Sequence, residues 1–312
     1  MGKFGDILLV SDFDRTLTNK EDEIPQANLD AIADFMREGG AFTVATGQSV
    51  EAHGKRYNRV PMNAPCIVFN GSVLYDFERK EALDITELPP DAGKLAEELA
   101  ASFPKCLVTV QTLDAEYIVS PCETKEQKLL AAVFGRMARK GEHPGEKEPW
   151  LKLGVCLLSE RDMAMLEAGV GEKARGEQPQ EDIGAGEQRD FFRDMDPEVD
   201  RRLTEIETWI SERFPGEYTV VRPLPMILEI QTAGTSKGIA ARHLAQRLGR
   251  NTLVCVGDAL NDVSMLEEAD IAYVAGDGDV SLRDGRYRVA ADSAQGVVAS
   301  VIRDLDMGYA GS

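Results

Sequence analysis

The stretch "ILLVSDFDRTLT", residues Ile7–Thr18, carries an apolar run that ends in two aspartates. The four aliphatic residues Ile7–Val10 predict a strand buried on both faces, of the kind found inside a parallel sheet. Asp12 and Asp14 then fall where that strand should end. Ionised carboxylates at the edge of an apolar core are costly unless something positive holds them. Open α/β sheets bind their ligands at the carboxyl ends of strands. The pair therefore points to a cation or a ligand at this edge, although aspartates are also common in simple turns after strands. Asp12, Asp14, Thr16 and Glu23 have the spacing of a calcium loop. Leu17, however, stands where such a loop needs glycine, and a strand rather than a helix precedes it.

Outward from this strand the chain alternates. "IPQANLDAIADFMREGG" predicts a helix with Leu29, Ile32, Ala33 and Met36 on one face and Gly39 as its stop. "AFTVAT" is a second strand, "SVEAHGKRYNRV" a short helix and "CIVFN" a third strand. The βαβαβ order implies a parallel sheet with right-handed crossovers. Near the other end, "SKGIAARHLAQRLG" places Ala241, Leu244, Ala245 and Leu248 at helical spacing behind Ser236 as cap. "NTLVCVGD" and "IAYVAG" follow as strands and "SAQGVVASVIRDL" as a closing helix. The middle differs: "CLVTVQTLD", "EYIVSP", "LKLGVCLLS", "YTVVRPL" and "MILEIQ" are strand-like, with reversals between neighbours such as "TLDAEYIV" that suggest antiparallel pairing. Helices such as "KEQKLLAAVFGRMARKG" lie among them. The expected fold is α/β, a Rossmann-like doubly wound parallel sheet in residues 1–83 and 233–312, interrupted by an inserted α+β domain over 84–232. Within the insertion, about 171–196 is rich in Gly, Glu and Gln and is expected to be an exposed, mobile acidic loop.

The formal net charge of −19 argues against a broad electrostatic grip on nucleic acid or an anionic membrane. An anionic substrate would have to be held by local positive features. The five cysteines (Cys66, Cys106, Cys122, Cys156, Cys255) are odd in number, form no C-x-x-C pair and mostly sit in apolar runs, which argues against a disulfide framework or a zinc site. The first residues carry too short an apolar run for a signal peptide, and no stretch approaches membrane-spanning length. The cytoplasm is the expected compartment.

Three further segments belong at the same sheet edge. "GDALND" follows a strand and brings Asp258 and Asp262 close together in one turn. With Asp12 and Asp14, four carboxylates would converge, and all-oxygen ligation of this kind suits Mg²⁺. "VATGQS" sets Thr46 and backbone N–H groups at the opening of a helix, a ready anion site. "GTSKG" puts Lys237 in the first turn of a helix, where its charge opposes the helix dipole unless an anion is also present. Taken singly, each has a plain structural reading: an N-cap for Thr46, a solvated lysine for Lys237, a tight turn for Asn70–Gly71. His53, His143 and His243 are scattered and are expected at the surface; none stands beside a nucleophile signature, so a triad hydrolase has no support.

"DFDRTLT", "TGQS", "TSKG" and "GDALND" occur in the order and approximate spacing of the four motifs of the haloacid-dehalogenase-like (HAD) superfamily. The insertion between the second and third motifs, with "FNGS" after the third strand, most resembles its Cof-type subgroup, which carries a large α+β cap. The resemblance covers the two core segments; the cap matches in position and length alone. It implies a phosphatase acting on a small phosphorylated metabolite. In that reading Asp12 is the nucleophile that forms an aspartyl-phosphate, and Asp14 is the acid and then the base. Mg²⁺ is held by Asp12, the Asp14 carbonyl, Asp258 and Asp262. Thr46, Gly47 and Lys237 contact phosphate oxygens, and Asn261 orients Lys237 or the phosphate. Arg15, Gln48, Asn70 and Gly71 are candidate substrate-lining positions. Arg15 stands where the subgroup usually has glycine, and Gln48 where arginine is common. A phosphomutase of the phosphomannomutase type shares this core and cap and would want cap cations such as Lys152, Arg201 or Arg222. A non-catalytic ligand-binding member would lack the nucleophile or a metal ligand.

Overall fold

The computed structural model describes residues 2–133, 138–140, 144, 148–164 and 196–310. The chain divides into two compact units, Met1–Ile85 with Thr235–Ser312, and Thr86–Gly234. It runs through β1 (Ile7–Asp12), α1 (Gln26–Arg37), β2 (Ala41–Ala45), α2 (Val50–Tyr57), β3 (Cys66–Val68), β4 (Val73–Asp76) and β5 (Glu81–Ile85) in the first unit. The second unit holds α3 (Ala92–Ser102), β6 (Leu107–Gln111), β7 (Glu116–Ile118), α4 (Lys125–Val133), β8 (Ala138–Lys140), β9 (Lys152–Cys156), α5 (Pro197–Arg213), β10 (Tyr218–Leu224) and β11 (Ile227–Thr232). The chain then returns to the first unit as α6 (Lys237–Arg247), β12 (Thr252–Gly257), α7 (Val263–Glu268), β13 (Ile271–Val274), β14 (Arg288–Val289) and α8 (Val297–Ala310).

Among the described residues the first unit's sheet has the order β14-β13-β12-β1-β2-β3-β4-β5. It is parallel from β14 to β3, and the β4–β5 hairpin extends it with antiparallel strands. β1 is the middle strand that its apolar run predicts, fully buried along Ile7–Val10. Leu8 and Val10 pack with Ala241 and Leu244 of α6 and Met265 of α7 in one apolar cluster. Strand alternation turns Ile7 and Leu9 to the other face.

Three local expectations need correction. The buried side of α1 is Asn28, Ile32 and Phe35, while Ala33 is exposed. Asn28 sets this rotation: its amide donates to the Leu17 carbonyl (3.0 Å) and its oxygen accepts from Ala299 N (2.9 Å), so a polar side chain ties the helix to two other segments. The helix predicted over "KEQKLLAAVFGRMARKG" gives way to strand at Ala138–Lys140, which pairs in parallel with β7. "CIVFN" leaves the strand after Val68: Phe69 and Asn70 both have φ 51° and Gly71 has φ 104°.

The second unit's sheet, β10-β11-β9-β6-β7-β8, is antiparallel except for the β7–β8 pair. Leu95 and Leu99 of α3 and Leu203, Ile206 and Ile210 of α5 bury against Val108, Val155 and Leu228 of this sheet. The expected acidic loop lies outside the described residues except for Asp196, whose carboxylate caps α5 by accepting from Glu198 N (2.9 Å). His143 and the side chain of His53 are likewise outside them; His243 is exposed. All five cysteines are buried free thiols. No helix among the described residues is long and apolar enough to cross a membrane.

Candidate active site

β1 and β12 pair in parallel, with Ser11 opposite Val256, so Asp12 and Asp258 leave adjacent strand ends side by side. The turn after β12 brings Asp262 back beneath them. Asp12, Asp258 and Asp262 each offer a carboxylate oxygen, all within 4.8 Å of one another. Asp262 is fully buried. Its Oδ2 accepts from the backbone N–H groups of Asp258 (3.0 Å) and Ala259 (3.2 Å), which fixes the turn. Its Oδ1 receives the Lys237 ammonium at 2.7 Å, and the same ammonium donates to Asp12 Oδ1 at 2.6 Å.

Lys237 reaches this position because α6 starts under the site. Ser236 Oγ accepts from Ile239 N (3.1 Å) and caps the helix. Gly71, in the left-handed region, lets the turn after β3 touch the Ser236 carbonyl, where a Cβ would collide. Gly238 lets α6 approach the Ser264 carbonyl of α7 in the same way.

The electrostatics follow from burial and imbalance. Burial holds the Asp12 carboxyl well above its usual range, and Asp262 adds to the rise, while Lys237 opposes it. Burial and then Asp262 push Asp258 up to about 7, against a hydrogen bond from Thr16 Oγ1 (3.1 Å) and the charges of Lys237 and Arg15. Burial alone would favour a neutral Lys237, but the carboxylates of Asp12 and Asp262 overcome it and keep the ammonium firmly protonated. Three carboxylates face one ammonium, so the cluster is short of positive charge. Its donors are hard oxygens, the kind that hard divalent cations take, and a cation there would draw the ionised forms out. The residues fit a divalent metal ion.

Asp14 stands beside this cluster, not in it. Its Oδ2 accepts from Gln48 Nε2 (2.9 Å), and its Oδ1 lies 2.9 Å from Nη2 of Arg56 on α2. Its negative charge is still felt at Asp12, where it favours the protonated form. Arg15 adopts φ 68°, the conformation that glycine takes without strain, which is the physical sense of glycine at this position in the family it resembles. Thr46 is buried, accepts from Gln48 N through Oγ1 (3.2 Å), and its carbonyl receives Asn70 N (3.0 Å). Gly47 packs against the Asn70 amide, where a Cβ would meet Oδ1. Asn70 and Gly71 thus shape the backbone of the Thr46 turn and the start of α6. Asn261 is half-buried in the turn that follows Asp258, yet Asp262 rather than Asn261 orients Lys237. Asp22 and Arg56 were not anticipated from the sequence, and Thr16 stood there only as a position of the rejected calcium loop, not as a donor to Asp258.

The chain resembles known proteins over most of its length. A sequence profile described as haloacid dehalogenase-like hydrolase matches residues 9–167 and 190–302. A Haemophilus influenzae protein named "Putative phosphatase" is 32% identical over 102 residues, 32% of this chain and 36% of that protein. A Bacillus subtilis protein named "Putative phosphatase YxeH" is 39% identical over 81 residues, 25% of this chain and 28% of that protein. These matches therefore span only about a third of the curated relatives. A solved haloacid dehalogenase-like hydrolase from B. subtilis superimposes with a TM-score of 0.67 at 18% identity, covering 95% of this chain and 98% of that one. At that identity the likeness speaks for the fold. With the profile spanning both core segments and the insertion between them, the chain belongs to the haloacid dehalogenase-like hydrolase family.

Proposed function

We propose that this chain is a Mg²⁺-dependent phosphatase of small phosphorylated metabolites, working through an aspartyl-phosphate on Asp12. The observation that carries the reading is the Lys237 ammonium bridging two buried aspartates, Asp12 and Asp262, with Asp258 alongside. A structural salt bridge needs one carboxylate; three around one ammonium leave room for added positive charge and for an anion to be attacked. Asp12, the Asp14 carbonyl and Asp258 would hold Mg²⁺, with Asp262 beside them. Bound there, the ion supplies the positive charge that lets an anionic nucleophile approach an anionic ester.

An oxygen of Asp12 attacks phosphorus, the bond to the ester oxygen breaks, and Asp14 gives that oxygen its proton. Water then attacks phosphorus, Asp14 takes a proton from it, and Asp12 is released with inorganic phosphate. Lys237, Thr46 and the backbone around Gly47 offset charge on the phosphoryl oxygens. The inserted unit of residues 84–232 serves as the cap that sets leaving-group choice. Buried free thiols suit the reducing cytoplasm.

The phosphomutase alternative asks for cap cations, and the three candidates named from the sequence are each paired with carboxylates. Lys152 pairs with Glu229, Arg201 with Glu205 (2.6 Å), and Arg222 with Asp200 and Glu207 (2.6 Å each). The test is a phosphate-release screen over sugar phosphates, nucleotides and phosphorylated cofactors with and without Mg²⁺. Wild type should release phosphate only with the metal, and Asp12→Asn should release none while melting as a folded protein. Turnover near wild type in Asp12→Asn would remove the nucleophile assignment.

A further inference from the structure

Asp14 is tethered from a direction that the reaction alone does not require. The backbone at Asp14 is extended (φ −76°, ψ 118°), and Arg15 follows at φ 68°, so the chain turns sharply beyond β1. The Asp14 side chain meets α2. One oxygen is taken by Gln48 Nε2 and the other by Arg56 Nη2, each at 2.9 Å. Two donors, one per oxygen, fix the plane of the carboxylate as well as its place.

Arg56 is itself held on two further sides. Nη2 also bonds the Asp22 carboxylate, and the guanidinium carbon lies 4.6 Å from the centroid of the Phe13 ring, a cation–π distance. Arg59 Nη2, from the turn just after α2, donates to the Asp22 carbonyl (3.2 Å), so the helix and the turn that follows it each grip the 19–23 turn once. Asn19 stiffens that turn by accepting from Glu21 N (3.0 Å) and Glu23 N (2.8 Å). The Arg56 side chain is only 16% exposed, and its Nε is buried without a hydrogen-bond partner among the described residues.

We propose that Arg56 is a positioning residue for Asp14: clamped by Asp22 and the Phe13 ring, it aims the carboxyl group at the leaving oxygen. The proposal rests on the phosphatase reading. An acid swinging freely about its side-chain torsions misses the leaving oxygen for much of the time, and misplacement by an ångström is enough to slow a reaction by orders of magnitude. The role matters only where the leaving group needs a proton.

That dependence supplies the test. kcat/KM, which covers the steps through ester cleavage, is measured for an alkyl phosphomonoester and for p-nitrophenyl phosphate, whose phenolate leaves without help. Arg56→Met should lower the alkyl value by about tenfold or more, a share of the 10²–10⁴ that a positioned acid typically contributes, and the aryl value by less than about twofold. Arg56→Lys should recover part of the alkyl rate, because a single ammonium cannot serve both aspartates and the ring. In an Asp14→Ala background Arg56→Met should change neither value further. Asp22→Asn, which alters only the anchor, should move the alkyl-to-aryl ratio in the same direction by less and covers the case in which Arg56→Met folds poorly. An unchanged ratio in both Arg56→Met and Asp22→Asn overturns the proposal and leaves Arg56 as packing. A wild-type protein that releases phosphate from neither ester overturns the phosphatase reading instead.

Discussion

Burial, with Asp262 adding to it, raises Asp258 to about 7, and this carboxyl contributes to the pH sensitivity of the metal-free protein. Its ordinary value is near 3.9. A carboxyl raised on folding lends stability that is fully present below the ordinary value and is lost as pH climbs through the raised one. Asp12 is raised as well, in the same direction. Metal-free wild type should therefore melt lower at pH 8 than at pH 5, and Asp258→Asn should flatten that slope. At pH 8 in chelator the variant should be the more stable by something on the order of 2 kcal/mol, about 4–8 °C in melting temperature, with the gap closing at pH 5. Added Mg²⁺ should raise the wild-type melting temperature at pH 8 far more than the variant's; equal rises would remove Asp258 from the metal site. Lys237→Met strips the cation from two buried carboxylates and should cost about 3–5 kcal/mol at pH 8, partly recovered at pH 5 where those groups can protonate. The meeting of Asp12, Asp258 and Lys237 was legible because apolar runs and helix periodicity fix where strands end and helices begin; the expected convergence of four carboxylates was not, since Asp14 turns to Gln48 and Arg56. Nor was Arg56: it resembles any helix-borne surface arginine until the 19–23 turn folds against it. Asn261 and Asp262 were separable only by register, since one residue in a tight turn decides which side chain meets the lysine.

The start of α6 is where several elements meet, and its cap and its neighbour can be tested together. Ser236→Ala removes the oxygen that receives Ile239 N and should cost about 1 kcal/mol, a fall of roughly 2–4 °C. Gly71→Ala should cost more, because it combines a left-handed backbone with a Cβ driven into the Ser236 carbonyl. Since both act on one junction, the double variant should lose less than the sum of the two, and strict additivity in thermal melts would show that the turn and the helix start are independent. Among the described residues, ten strands of the two units were legible as apolar runs closed by turn residues, and "NG" at Asn70–Gly71 read correctly as a turn, whereas the short strands β4, β5 and β14 were not anticipated. What escaped were features set by partners far along the chain. α1 is rotated by a polar residue, Asn28, that bonds Leu17 and Ala299, which no apolar periodicity can register. β8 exists through its pairing with β7, in a stretch whose composition reads as helix.

The net charge of −19 and the local ammonium groups act on a phosphate ester over different distances. At contact, Lys237 and a bound cation prevail, because they are close and poorly screened inside the fold. Beyond about 10 Å a dianionic substrate meets the field of the whole acidic chain, which repels it. Salt separates the two: the Debye length falls from about 30 Å at 0.01 M to about 8 Å at 0.15 M, so the long-range repulsion is screened while the contacts survive. With Mg²⁺ held saturating, kcat/KM for a dianionic ester should therefore rise with potassium chloride over that range, by about twofold, whereas kcat should stay level. This is the reverse of a positively steered enzyme, whose association slows as salt is added. The comparison is a substrate titration at fixed free Mg²⁺ across the salt series. A kcat/KM that falls from the lowest salt onward would mean that positive potential from the metal and Lys237 extends into solvent and outweighs the acidic surface.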